Sequence, residues 1–135
     1  MTIEQKAFGP DHPTVATTLN NLAVLYQAQG KYSEAEPLYT RALSIDKKSL
    51  GPDHPAVATT LNNLASLYRA QGKYSEAEPL YRSALAIDEK ALGPDHPEVA
   101  VVAEDLADTL ERLGRHSEAR TYEEQAAKIR SMTKP

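Results

Sequence analysis

Gly9-Pro10-Asp11-His12-Pro13 returns as Gly51-Pro52-Asp53-His54-Pro55 and again as Gly93-Pro94-Asp95-His96-Pro97, a period of 42 residues. Self-similarity at a fixed period of this length marks a stacked array of like units, not one irregular core. Residues 9–50 and 51–92 differ at only eight positions. The third repeat, 93–135, keeps the frame and drifts in content. Ile3 to Phe8 align with Ile45 to Leu50 and with Ile87 to Leu92, so residues 1–8 read as the tail of an incomplete preceding repeat. The chain as a whole reads as one domain.

Each repeat reads as two helices. Val15, Leu19, Leu22, Ala23 and Tyr26 recur at the spacing of one helical face and exclude a strand. Asp11-His12-Pro13 opens that helix, with Asp or a nearby backbone group capping the free N–H groups and Pro suited to the first turn. Gly30 closes it through a left-handed conformation. The second helix opens at Ser33-Glu34-Ala35-Glu36, which has the pattern of a capping box. Pro37 is tolerated if Ser33 is the non-helical cap, because the carbonyl four residues back then lies outside the helix. Ala35, Leu38, Tyr39, Ala42, Leu43 and Ile45 form its apolar face. A lone helix pair leaves such faces wet, and stacking buries them. Ala23, Ala35 and Ala42, with Ala65, Ala77 and Ala84, let helix axes approach, while Tyr26, Tyr32 and Tyr39 fill the wider gaps. The predicted architecture is all-α.

The chain has 135 residues, 41% of them hydrophobic, with one Phe and no Trp; seven Tyr and many Ala take their place. A formal charge of −4 argues against nucleic acid or anionic membrane as partner, since both need a basic stripe. The absence of Cys excludes disulfides and thiolate metal sites. Without a signal-peptide pattern at the start or a long apolar run later, the expectation is a soluble, cytoplasmic protein.

Leu19-Asn20-Asn21-Leu22-Ala23-x-Leu25-Tyr26, Gly30-Lys31-Tyr32-Ser33-Glu34-Ala35-Glu36 and Ala42-Leu43, closed by Leu50-Gly51-Pro52-Asp53-His54-Pro55, resemble the tetratricopeptide repeat in its 42-residue, kinesin-light-chain-like form. The resemblance covers nearly the whole chain and is weaker in the third repeat, where Glu123 replaces Tyr39 and Tyr81 and Ala127 replaces Leu43 and Leu85. Those losses read as a cap-like, solvated final helix. The resemblance implies a right-handed α–α superhelix that serves as a protein-interaction scaffold.

It also implies a concave groove lined by the first helix of each repeat, at Thr17, Asn20, Asn21, Val24 and Gln27, then Thr59, Asn62, Asn63, Ser66 and Arg69, then Val101, Glu104, Asp105, Asp108 and Glu111. Asn20 and Asn62 lie off the apolar stripe, and an amide that both donates and accepts suits the backbone of an extended peptide. Val24 against Ser66 and Gln27 against Arg69 vary on this face, as tuning of a ligand site would produce. The third repeat would present an acidic surface, which either selects a basic ligand or is simply solvated. Val101 and Asp105 stand where a clamp for a C-terminal carboxylate would need bases, so chaperone-tail binding is not expected.

Catalysis is not expected. His12, His54 and His96 recur beside Asp, but equivalent positions in stacked repeats sit about 8–10 Å apart, too far to share a metal at about 2 Å, and they read as structural turns. His116, in the place of Tyr32 and Tyr74, reads as a core-edge substitute. Phosphate loops, zinc motifs and nucleophile elbows do not occur. No cofactor and no metal are expected. The partner is a protein or peptide segment. A second reading is a spacer or self-assembling module, a homo-oligomer stacked through the exposed N-terminal edge; a third is a fragment of a larger signalling or enzyme protein.

Overall fold

The computed structural model describes residues 12–133. These form α1 (Pro13–Ala28), α2 (Tyr32–Leu50), α3 (Pro55–Ala70), α4 (Tyr74–Leu92), α5 (Pro97–Arg112) and α6 (His116–Thr133), with no strand among the described residues. Corresponding helices begin 42 residues apart. The reading of residues 1–8 as the end of an earlier repeat lies outside the described residues.

The proline that starts each first helix has no N–H, so the first orphan donor belongs to the next residue. The imidazole just before the proline takes it: Nδ1 of His12, His54 and His96 accepts from the backbone N–H of Thr14, Ala56 and Glu98 at 3.1, 3.0 and 3.0 Å. Histidine, not aspartate, is therefore the cap, because the aspartate lies one residue too early. At the other end Gly30 adopts φ 76°, and the N–H of Lys31 returns to the carbonyl of Tyr26 at 2.8 Å. That closure satisfies carbonyls of the last turn and lets α2 begin at Tyr32.

The capping-box expectation at Ser33 is overturned. Lys31 is the cap of α2 and makes no side-chain capping bond; Ser33 is already helical and its hydroxyl meets Glu34 instead, 3.4 Å away. Pro37 consequently lies inside the helix. The carbonyl it leaves without a donor belongs to the exposed Ser33, where water can reach it. In the third repeat Thr121 stands at the proline position, and its hydroxyl donates to the Ser117 carbonyl at 3.4 Å.

The expected small-residue seams are present. Ala23, Ala35 and Ala42 and their counterparts Ala65, Ala77 and Ala84 are fully buried, and Tyr39 and Tyr81 are packed among them. Tyr26 and Tyr32 pack at the edge of the same cluster. Leu22 is the exception: it is 38% exposed, as is Leu25 at 53%, whereas Leu64 and Leu67 at the same positions of α3 are 5% and 0% exposed. Leu64 and Leu67 are covered by Ala35 and Tyr39 of α2, and no described helix precedes α1 to do the same. On α6, Glu123 and Ala127 are exposed where Tyr81 and Leu85 of α4 are buried. His116 is also on the surface, its Nδ1 3.1 Å from Glu111 Oε1, so it is not a core-edge residue.

Candidate functional site

Two adjoining clefts open between the first helices α1 and α3. One, of about 290 Å³, is lined by Thr17, Asn20, Asn21, Val24, Thr59 and Asn63 around a floor that includes Asp46. The other, of about 360 Å³, holds Gln27 and Ser66 and shares Val24 and Asn63 with the first. A third, of about 340 Å³, lies between α3 and α5 and contains Ser66, Arg69, Asp108 and Arg112. Periodicity thus brings most of the expected groove residues to one side. Asn62, Val101, Glu104, Asp105 and Glu111 line none of these three clefts.

Asn20 and Asn21 turn out to do different work. The amide of Asn20 donates to Thr60 Oγ1 at 2.8 Å, and that hydroxyl donates to Asp46 Oδ2 at 3.4 Å. Asn20 therefore ties α1 to α3, and its Oδ1 is buried without a partner. Val102 stands in the third repeat where Thr60 stands in the second, and Asn62 Oδ1 is likewise buried and unpaired. Asn21 and Asn63, the second residue of each pair, line the cleft, and among the described residues no intramolecular hydrogen bond engages their amides.

The variable positions also join neighbouring repeats. Gln27 accepts from the Tyr39 hydroxyl at 2.9 Å and donates to Ser66 Oγ at 3.4 Å. One repeat later the same contact is charged: Arg69 reaches Asp105 at 3.3 Å and Asp108 at 3.6 Å and lies over the ring of Tyr81. Gln27 goes with Ser66 as Arg69 goes with Asp108, so these differences match each other across repeat boundaries. Arginine cannot accept a hydrogen bond, so the Tyr81 hydroxyl is buried without the acceptor that Gln27 gives Tyr39, and burial, the largest cause, pushes its pKa up to about 12.

The acidic face of the third repeat is internally engaged. Glu104 takes a two-pronged contact from Arg130, at 2.5 and 2.6 Å, which holds its carboxyl below the usual range. Asp105 and Asp108 face Arg69, and Glu111 faces His116. Burial nevertheless raises Asp105 above its ordinary value, with Arg69 opposing.

Sequence reasoning missed two buried carboxylates, Asp46 and Asp88, which are 4% and 5% exposed. Their spacing was the available signal, since Asp46 follows Ala42 by four residues and so shares its buried face. Burial raises both pKa values. Asp46 is partly compensated by the Thr60 hydroxyl and by His54. Asp88 rises to about 6, through burial first and Glu98 second, against a lowering effect of His96.

Paired helices in register, with seams of alanine between them, define an α-solenoid. The chain belongs to the tetratricopeptide repeat family, whose model matches residues 1–48, 15–90 and 76–132. The structure is similar to BtubC (BKLC) from P. vanneervenii, with 25% identity over 96% of this chain and 52% of that one, at a TM-score of 0.89. It is also similar to the nearly identical TPR-like repeats of a Podosopora anserina protein of kinesin-light-chain type, with 31% identity over 92% and 59% of the two chains and a TM-score of 0.81. The TPR domain of Arabidopsis FLU shares the fold at 17% identity, over 87% and 97% of the chains, with a TM-score of 0.76. The chain spans little more than half the length of the first two. Tetratricopeptide repeats are generally protein-interaction modules, and proteins of this family are typically scaffolds without catalytic activity. No described helix is long and apolar enough to cross a membrane.

Proposed function

We propose that this chain holds an extended or helical segment of another protein in the groove of its first helices, with the α1–α3 clefts as the principal seat. The observation that carries this is the continuity of the two clefts through Val24 and Asn63. Val24 is 48% exposed and offers apolar contact, while Asn21 and Asn63 each present an amide able to donate to and accept from a peptide backbone whatever its side chains. Asn20 also lines the cleft but gives its amide to Thr60. With its carboxylates internally paired, the third repeat adds little selection for basic ligands.

Peptides selected from a random displayed library on the wild-type chain test this reading when remeasured on Val24→Glu and Asn63→Ala variants that melt normally. Loss of about tenfold or more in affinity is expected, equal to roughly 1.4 kcal/mol. Selected peptides that bind wild type and both variants alike would remove the site from this groove.

A second reading, self-assembly through the α1 edge, is favoured by the exposure of Leu22 and Leu25, because exposed apolar faces tend to find partners. Light scattering across concentrations separates the two readings: a constant monomer mass rejects assembly, and a rising mass that Leu25→Glu abolishes supports it.

A further inference from the structure

We infer that the side of the molecule formed by the second helices carries a separate docking site, between α2 and α4, for a protein segment presenting an aliphatic side chain beside a carboxylate. The cleft measures about 440 Å³ and shares no lining residue with the α1–α3 clefts. Its floor is apolar: Val57, Leu61 and Ile87 are buried, and Leu43 and Leu80 are half-buried. Lys47 and Asp53 stand at its rim. Asp53 is neutralised by Lys90 at 3.0 Å, which leaves the exposed Lys47 as the uncompensated charge of the cleft.

The repeat provides an internal comparison. Between α4 and α6 the same gap is bridged. Gln125 donates to Glu89 at 3.1 Å, and Arg82 donates to the Tyr122 hydroxyl at 2.9 Å. The corresponding residues at the α2–α4 gap are Ser83 for Gln125, Lys47 for Glu89, and Leu80 for Tyr122. Serine is too short to make the bridge, and Ala86 stands where the third repeat has Lys128. Position 83 is Arg41 in the first repeat and Gln125 in the third, so the short side chain is particular to the second repeat, where the gap is open. Lys47 against Glu89, Arg41 against Ser83 and Ser44 against Ala86 account for three of the eight differences between the first two repeats. An apolar floor takes an aliphatic side chain by burial, and a lysine at the rim favours an adjacent carboxylate by complementarity.

The test is titration of the isotopically labelled full chain with acetyl-Leu-Asp-amide, followed by amide chemical shifts. The controls are acetyl-Leu-Lys-amide and acetyl-Gly-Asp-amide. Saturable shifts at Leu43, Lys47, Ser83 and Ala86 are expected with the first probe alone. Ser83→Gln narrows the cleft without changing its charge, and Lys47→Glu reverses the charge without narrowing it. Each should weaken the first probe by about tenfold or more, and Lys47→Glu should turn preference toward the lysine probe. Both substitutions use residue types already present at equivalent positions, so the fold should persist, as unchanged spectra elsewhere would verify. Absence of saturable shifts at these residues, equal response to all three probes, or indifference to both substitutions would overturn the proposal.

Discussion

Val102 takes the place that Thr60 holds one repeat earlier. At the first boundary the hydroxyl of Thr60 links Asn20 to Asp46. At the second, valine offers no hydroxyl to accept from an asparagine amide or to donate to the buried carboxylate, and Asp88 has a pKa near 6. Val102→Thr restores a hydroxyl between them and should raise stability by about 1 kcal/mol, seen as a higher melting temperature at pH 7. Asp88 also has a definite pH signature. Its folded pKa of about 6 lies above the ordinary carboxylate value, so between about pH 4 and 6 the native state holds more protons than the unfolded one. Stability from this group is therefore present at low pH and is lost as pH rises through 6. Asp88→Asn should stabilise the protein above that window, by an amount of the order of 1–3 kcal/mol, and the gain over wild type should vanish toward pH 4. Chemical denaturation across that range checks it; a gain independent of pH would reject the buried charge as the cause.

The first helices are started by an imidazole and stopped by glycine. His54→Ala removes the acceptor for the Ala56 N–H and should cost about 1 kcal/mol, while His54→Asn should retain most of it. Paired denaturation curves distinguish a capping role, in which asparagine rescues, from simple packing, in which it does not. The starts of the second helices were the least legible elements. Ser33-x-x-Glu36 has the form of a capping box, yet the tight return of Lys31 onto Tyr26 fixes where the helix begins, and it begins before Ser33. A backbone closure made by the preceding helix outweighed a local side-chain pattern.

Across the stack, helix spacing depends on alanine at the seams. Ala65 is fully buried and belongs to the same core as Ala77 and Tyr81. Ala65→Leu should overpack that seam and cost about 1–3 kcal/mol; an unchanged melting temperature would count against the packing of this face. The stack also makes two distinct surfaces from one repeat. The first helices form clefts lined by Asn21 and Asn63, and the second helices form an apolar cleft beside Lys47. The two surfaces can be varied independently because they share no lining residue.

The period, the pairing of helices and the alanine seams were all legible from spacing, because each follows from which residues a helix of 3.6 residues per turn brings to one face. Contacts between repeats were decided only by tertiary structure. Adjacent Asn20 and Asn21 look alike in the chain and both line the cleft, but a rotation of about 100° per residue brings the amide of Asn20, and not that of Asn21, to Thr60. Gln27 and Arg69 vary with Ser66, Asp105 and Asp108, partners that lie 36 to 39 residues away and meet them only when the helices stack. Local periodicity says which face a side chain occupies; it does not say which residue of the next repeat will stand opposite.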